Sequence, residues 1–107
     1  MAILPNEKRA LNELRAILNE KYEVVDFKIF GSKAIGTDDA DSDVDVMITL
    51  LEHTKEIESQ IDDLIFDINL RNNCLITALY FGQNEIEFGP ISESPIYKKI
   101  IQEGIPI

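Results

Sequence analysis

The chain has 107 residues, a formal net charge of −10 and a pI near 4.4, which fits one domain with a modest core. Its 20 acidic residues against 10 basic ones exclude unaided DNA or RNA binding, which rests on Lys and Arg neutralising phosphates. Cys74 is the single cysteine, so an intramolecular disulfide and a Cys-based zinc site are excluded. The opening "MAILPNEKRA" lacks a signal-peptide pattern and no apolar run reaches membrane-spanning length, so the expected setting is the cytoplasm, with no membrane contact.

In chain order, Ala10, Leu11, Leu14, Ile17 and Leu18 recur at helical spacing and predict a helix over Glu7–Lys21, with Asn6 as its N-cap. The stretch "VVDFKIF", Val24–Phe30, alternates as a strand, with Val25, Phe27 and Ile29 on one face. Gly31 to Asp41 reads as a turn with a single helical turn after Ser32. A second strand runs over Asp43–Thr49. Ile57, Ile61, Leu64, Ile65 and Ile68 mark a helix within Glu52–Arg71, capped by Thr54 and ended by Asn72 and Asn73. The nearly continuous apolar run "LITALYF", Leu75–Phe81, predicts a third, central strand. Glu85–Phe88 reads as a short edge strand. A last helix follows Ser94, with Pro95 at its first position and Gly104 past its end. The apolar ending "IPI" is expected to pack on the sheet or on a second subunit, which leaves a homodimer open. The order predicts one small α/β (α+β) domain over 1–107: a mixed sheet with helices packed on one face.

The chemistry concentrates in "GSKAIGTDDADSDVDV". Asp43 and Asp45 share one face of the second strand, because strand side chains alternate, and their α-carbons stand roughly 7 Å apart. Val44, Val46 and Ile48 share the other face and suit the apolar stripes of the helices. The aspartates then lie on the open face, near the strand's start. Two carboxylates with waters and substrate phosphates are the arrangement Mg²⁺ prefers. A helical turn starting at Ser32 directs free backbone amides outward as an anion site, Gly31 lets the backbone approach, and the Ser32 hydroxyl can donate to a phosphate oxygen. A nucleoside triphosphate with Mg²⁺ needs both features. Asp38, Asp39 and Asp41 read as a solvated loop, and His53 as an exposed residue without a ligand role.

This stretch resembles the signature of the minimal nucleotidyltransferases, small members of the DNA polymerase beta superfamily. Phe30-Gly31-Ser32, ten intervening residues, then Asp43-Val44-Asp45-Val46 match it, and the ending "SPIYKKIIQEGIPI" resembles the tails of small members. The resemblance implies transfer of a nucleoside monophosphate, AMP, from ATP to an acceptor with release of pyrophosphate. It implies two Mg²⁺ ions held by Asp43 and Asp45 as the catalytic pair, and triphosphate held by Gly31, Ser32 and Lys33. It also implies a helical partner of the HEPN type, in a toxin–antitoxin pair whose partner is in some cases the acceptor. Relatives carry arginines in "GSRARG" where this chain has Lys33 and Ile35. Active relatives place a third carboxylate on the next strand, where this chain has Thr77. A module that binds nucleotide and a partner without transfer is the alternative reading.

Overall fold

The structure, a computed structural model, describes residues 3–36 and 42–107. The first helix, α1, is Pro5–Lys21 and starts earlier than the pattern suggested. Leu4, not Asn6, is its N-cap, with Pro5 at the first position, where a missing amide costs nothing. Glu7 reaches back, and its Oε1 accepts from the Leu4 amide at 2.9 Å. Asn6 instead donates to the carbonyls of Asn72 and Asn73, both at 3.0 Å. It therefore satisfies carbonyls that the end of another helix leaves open.

Strand β1 is Val24–Phe30, strand β2 is Val44–Leu50 and strand β3 is Ile76–Gly82. Helix α2, Gly31–Ile35, follows β1 without a break, and helix α3, Lys55–Asn72, joins β2 to β3. Thr54 caps α3 as expected, accepting from the Ile57 amide at 3.1 Å. Asn73 ends it in the left-handed conformation at φ 50°, one that Asn tolerates better than most residues. Helix α4 is Gln83–Phe88, helix α5 is Pro95–Glu103 and the two-residue strand β4 is Ile105–Pro106. Ser94 and Gly104 bracket α5 as the sequence predicted.

The sheet order is β3-β2-β1-β4. β1 runs antiparallel to both β2 and β4, and β2 runs parallel to β3 through the crossover of α3. Three expectations need correction. β3 lies at the edge of the described sheet, not at its centre. Apart from Thr77 it is nearly all apolar because Ile76 and Tyr80 face one core while Phe81 faces another. Glu85–Phe88 is helical: the register that alternates Glu and an apolar residue also fits a helical turn, and Gln83 donates to Glu87 four residues on, at 2.8 Å. Val25 leaves the Phe27 and Ile29 face, because the register shifts between Val24 and Asp26 and Val25 is the extra, exposed residue.

The main core lies on one face of the sheet. There Ala10, Leu11, Leu14 and Leu18 of α1 and Ile61, Ile65 and Ile68 of α3 meet Val44, Val46 and Ile48. A smaller cluster on the other face joins Met47, Phe81 and Ile100, with Phe30, Leu79 and Tyr97 packed against it. Met47 and Thr49 are therefore buried, and the face carrying Asp45 stays accessible only near the start of β2. The "IPI" ending pairs with β1 in this chain's own sheet: Ile105 stands opposite Ile29, and the Ile107 amide donates to the Phe27 carbonyl at 3.1 Å.

Candidate functional site

Phe30, the last residue of β1, stands opposite Asp45 in the ladder, so the chain leaves β1 beside that carboxylate. Gly31 turns it with φ +74°, a conformation L side chains rarely adopt. A β-carbon at position 31 would also lie 2.7 Å from Asp45 Oδ2. The "GS" and "DVD" pieces of the motif are thus in close contact, and only a glycine fits between them. Asp43 is exposed and precedes β2, while Asp45 is half-buried within it. The Val44 amide between them donates to the Leu75 carbonyl at 2.9 Å, which seats this end of β2 against the start of β3.

Thr77 pairs in register with Asp45 across the parallel ladder. Its hydroxyl donates to Asp45 Oδ1 at 2.7 Å. Of the two Asp45 oxygens, one is engaged by Thr77 and the other faces Gly31. The register is fixed by a residue that the motif did not reveal. Asn69, on α3, accepts from the Ile76 amide at 2.9 Å and donates to the Ile76 carbonyl at 3.1 Å. This clamp holds the residue just before Thr77. An asparagine within a helical pattern is an ordinary surface residue in sequence, so no local signal marks it.

Lys33 departs from the role expected of it. Its side chain is 0% exposed, and its ammonium lies 3.0 Å from Glu7 Oε1. The ammonium is thus turned inward, toward α1, and not out to the surface. It ties α2, and with it the Gly31-Ser32 turn, to the first turn of α1. Ser32 is half-buried, and its carbonyl accepts from the Gly36 amide at 2.9 Å. Asp38, Asp39 and Asp41 lie outside the described residues.

Among the described residues, no group of three or more His, Cys, Asp or Glu side chains is arranged to hold a metal. The Asp43 and Asp45 pair still suits a hard cation that completes its shell with water and phosphate oxygens. The space beside Asp45 Oδ2, which a single β-carbon would fill, is consistent with that use.

The nucleotidyltransferase domain family matches residues 11–106. The chain belongs to this family. The match takes in both strands of the motif, the α3 crossover and β4, so the nucleotidyltransferase fold covers nearly the whole chain. A crystal structure of a Sulfolobus solfataricus protein, provisionally described as a nucleotidyltransferase, has the same fold. It superposes with a TM-score of 0.50 at 15% identity, over 94% of this nucleotidyltransferase chain and 75% of that one. No curated protein sequence matches the chain. Among the described residues no helix is long and apolar enough to cross a membrane.

His53, expected to be exposed, is half-buried within this nucleotidyltransferase. Its Nε2 lies 2.8 Å from Glu58 and its Nδ1 contacts Glu85. Burial pulls its pKa down, but the hydrogen bonds to Glu85 and Glu58 outweigh burial and leave it raised. The sequence hid this cluster because Glu85 lies 32 residues away.

Proposed function

We propose that the chain is a minimal nucleotidyltransferase that moves AMP from ATP to an acceptor carried by a helical protein partner of the HEPN type, with Mg²⁺ held by Asp43 and Asp45. The observation that carries this reading is the contact between Gly31 and Asp45, which puts the two halves of the family motif at one point of the sheet. Gly31 lets the protein backbone approach the triphosphate closely, and the Ser32 hydroxyl donates to a phosphate oxygen. Thr77 fixes the rotamer of Asp45 by donating to Oδ1, which leaves Oδ2 toward the phosphate side. When bound, Mg²⁺ draws off the charge that builds on the phosphate oxygens as pyrophosphate leaves. The acceptor oxygen bonds to the α-phosphorus as the bond to pyrophosphate breaks. Its proton must leave to water or to a partner side chain, since the Thr77 hydroxyl cannot hold it.

ATP and Mg²⁺ together should raise the melting temperature more than either alone. Without the cation the triphosphate meets two carboxylates on a chain of net charge −10. A ligand at a hundred times its Kd contributes about 2.7 kcal/mol, several degrees for a chain of this size. Asp45→Asn should remove the joint shift, and an equal shift in that variant would place the nucleotide elsewhere.

Thr77 favours a second reading, a nucleotide-binding module that neutralises its partner without transfer. Mass spectrometry of the partner after incubation with ATP and Mg²⁺ separates the two. A gain of one nucleotide supports transfer. Inhibition of the partner without a gain, kept in Asp43→Asn and Asp45→Asn, supports the module. Thr77→Asp, which sets a carboxylate in register with Asp45, should then raise transfer or create it.

A further inference from the structure

Toward its C-terminal end, α3 exposes two large apolar residues among its charged ones. Phe66 is 64% exposed and Leu70 is 68% exposed, and they stand one helical turn apart. Leu75, 52% exposed, and Leu4 continue the apolar surface across a groove of about 540 Å³. Scattered single apolar residues need no explanation, but four large ones gathered around one groove, which Asn6, Glu7, Asn69 and Asn73 also line, mark an interaction site. Ser42 lines the same groove, and the next residue in the chain is Asp43.

The charge around the groove selects the occupant. Asp63 and Asp67 are exposed on α3 and alternate with Phe66 and Leu70 at the same four-residue spacing. Arg71, the basic residue at this end of α3, is engaged by Glu13 at 2.6 Å. The apolar strip is therefore flanked by free carboxylates, on a chain whose net charge is −10. A second copy of the chain would set the same carboxylates against themselves, and like charges across an interface cost several kcal/mol. Nucleic acid would meet the same repulsion.

We infer that this groove is the docking surface for a basic amphipathic helix of a partner protein. Its apolar ridge fills the space between Phe66, Leu70 and Leu75, and its Lys or Arg side chains meet Asp63 and Asp67. Helix-in-groove recognition uses this division of labour, with apolar anchors for affinity and flanking charge for register and choice of partner. A helix seated there ends beside Ser42, next to Asp43, and brings its chain to the catalytic end of β2. The inference rests on the reading that the acceptor arrives on a partner, but docking is measurable without any transfer.

The test places the photo-crosslinking residue p-benzoylphenylalanine at position 70 of the full chain, in cells that naturally express it. Position 88 is the control, since Phe88 is also highly exposed but lies outside the groove. The expected product joins position 70 to a different protein, at a helical segment carrying Lys or Arg. Its yield should fall at least about tenfold when Asp63→Lys and Asp67→Lys are combined, with the melting temperature checked to confirm folding. Phe66→Ser should weaken binding of the identified partner by a similar factor. Asp45→Asn should leave the crosslink intact, so loss of transfer and loss of docking are read separately. Crosslinks only to a second copy, a yield no higher than at position 88, or a partner segment that is non-helical or lacks basic residues would each overturn the inference.

Discussion

Gly31 is held by two independent constraints, its backbone angle and its distance from Asp45. Gly31→Ala should therefore cost more than a loop glycine usually does. The left-handed conformation alone costs about 1–2 kcal/mol for an L residue. The added carbon must also push Asp45 aside, which would break its hydrogen bond from Thr77. Chemical denaturation should report the stability loss, and the joint ATP and Mg²⁺ shift should vanish with it. Lys33 works in the opposite sense: a residue of the motif whose side chain is turned inward. Its buried pair with Glu7 joins α2 to α1. Removing one side of a buried ion pair costs up to about 3–5 kcal/mol, and Glu7→Ala also takes away the acceptor of the Leu4 amide. Glu7→Ala should show a loss of that order in urea unfolding. A Glu7→Ala variant as stable as the parent would mean that the pair is not buried in solution.

At the scale of elements, His53 joins the start of α3 to α4 and lies over Tyr80 of β3, with the ring centroids 6.3 Å apart. Tyr80 is itself tied to α3, donating to Asp62 at 2.6 Å, and burial with that bond raises the phenol's pKa. The folded state favours the protonated His53, so the cluster's contribution is complete below the unfolded value of about 6.5. It fades as pH rises through the higher folded value. Stability should thus decline above about pH 6.5, and His53→Gln should remove that part of the slope in melting curves taken from pH 6 to 9. Glu58 and Glu85 are each more than a third exposed, so the effect should stay below about 1 kcal/mol.

The elements themselves were largely legible in the sequence. β1 has the expected bounds, and Thr54, Ser94 and Gly104 mark helix ends as they should, because caps and periodicity are local. The misreadings are of two kinds. Asn6 and the Glu85–Phe88 segment offered ambiguous local patterns, and contacts with α3 and within α4 decided them. The position of β3 and the burial of Lys33 and His53 depend on partners far away in the chain. An apolar run reports burial on two faces, and it does not report the number of neighbouring strands. At the site, the Gly-Ser and Asp-x-Asp pieces were visible, but their contact and the Thr77 bond follow from register, which Asn69 helps to set.

The whole molecule is thin, with principal extents of 38 × 29 × 17 Å. Among the described residues, Asp43 is exposed and Asp45 half-buried at the start of β2, the end to which the proposed reading assigns transfer. The same thinness gives weight to β4. Its Ile105 and Pro106 occupy the outer side of β1 at Ile29 and Lys28, and the bulge at Val25 disrupts the remainder. Exposed strand edges recruit other chains, and short covering strands and bulges are ways proteins prevent it. Removal of residues 105–107 should therefore open this edge. It would uncover backbone groups of Phe27 and Ile29 that are now paired. The shortened chain should form concentration-dependent aggregates, visible by light scattering, even where its melting temperature falls by only a few degrees. Residues 105–107 thus serve as a stopper on a sticky rim, at the opposite edge of the sheet from β3.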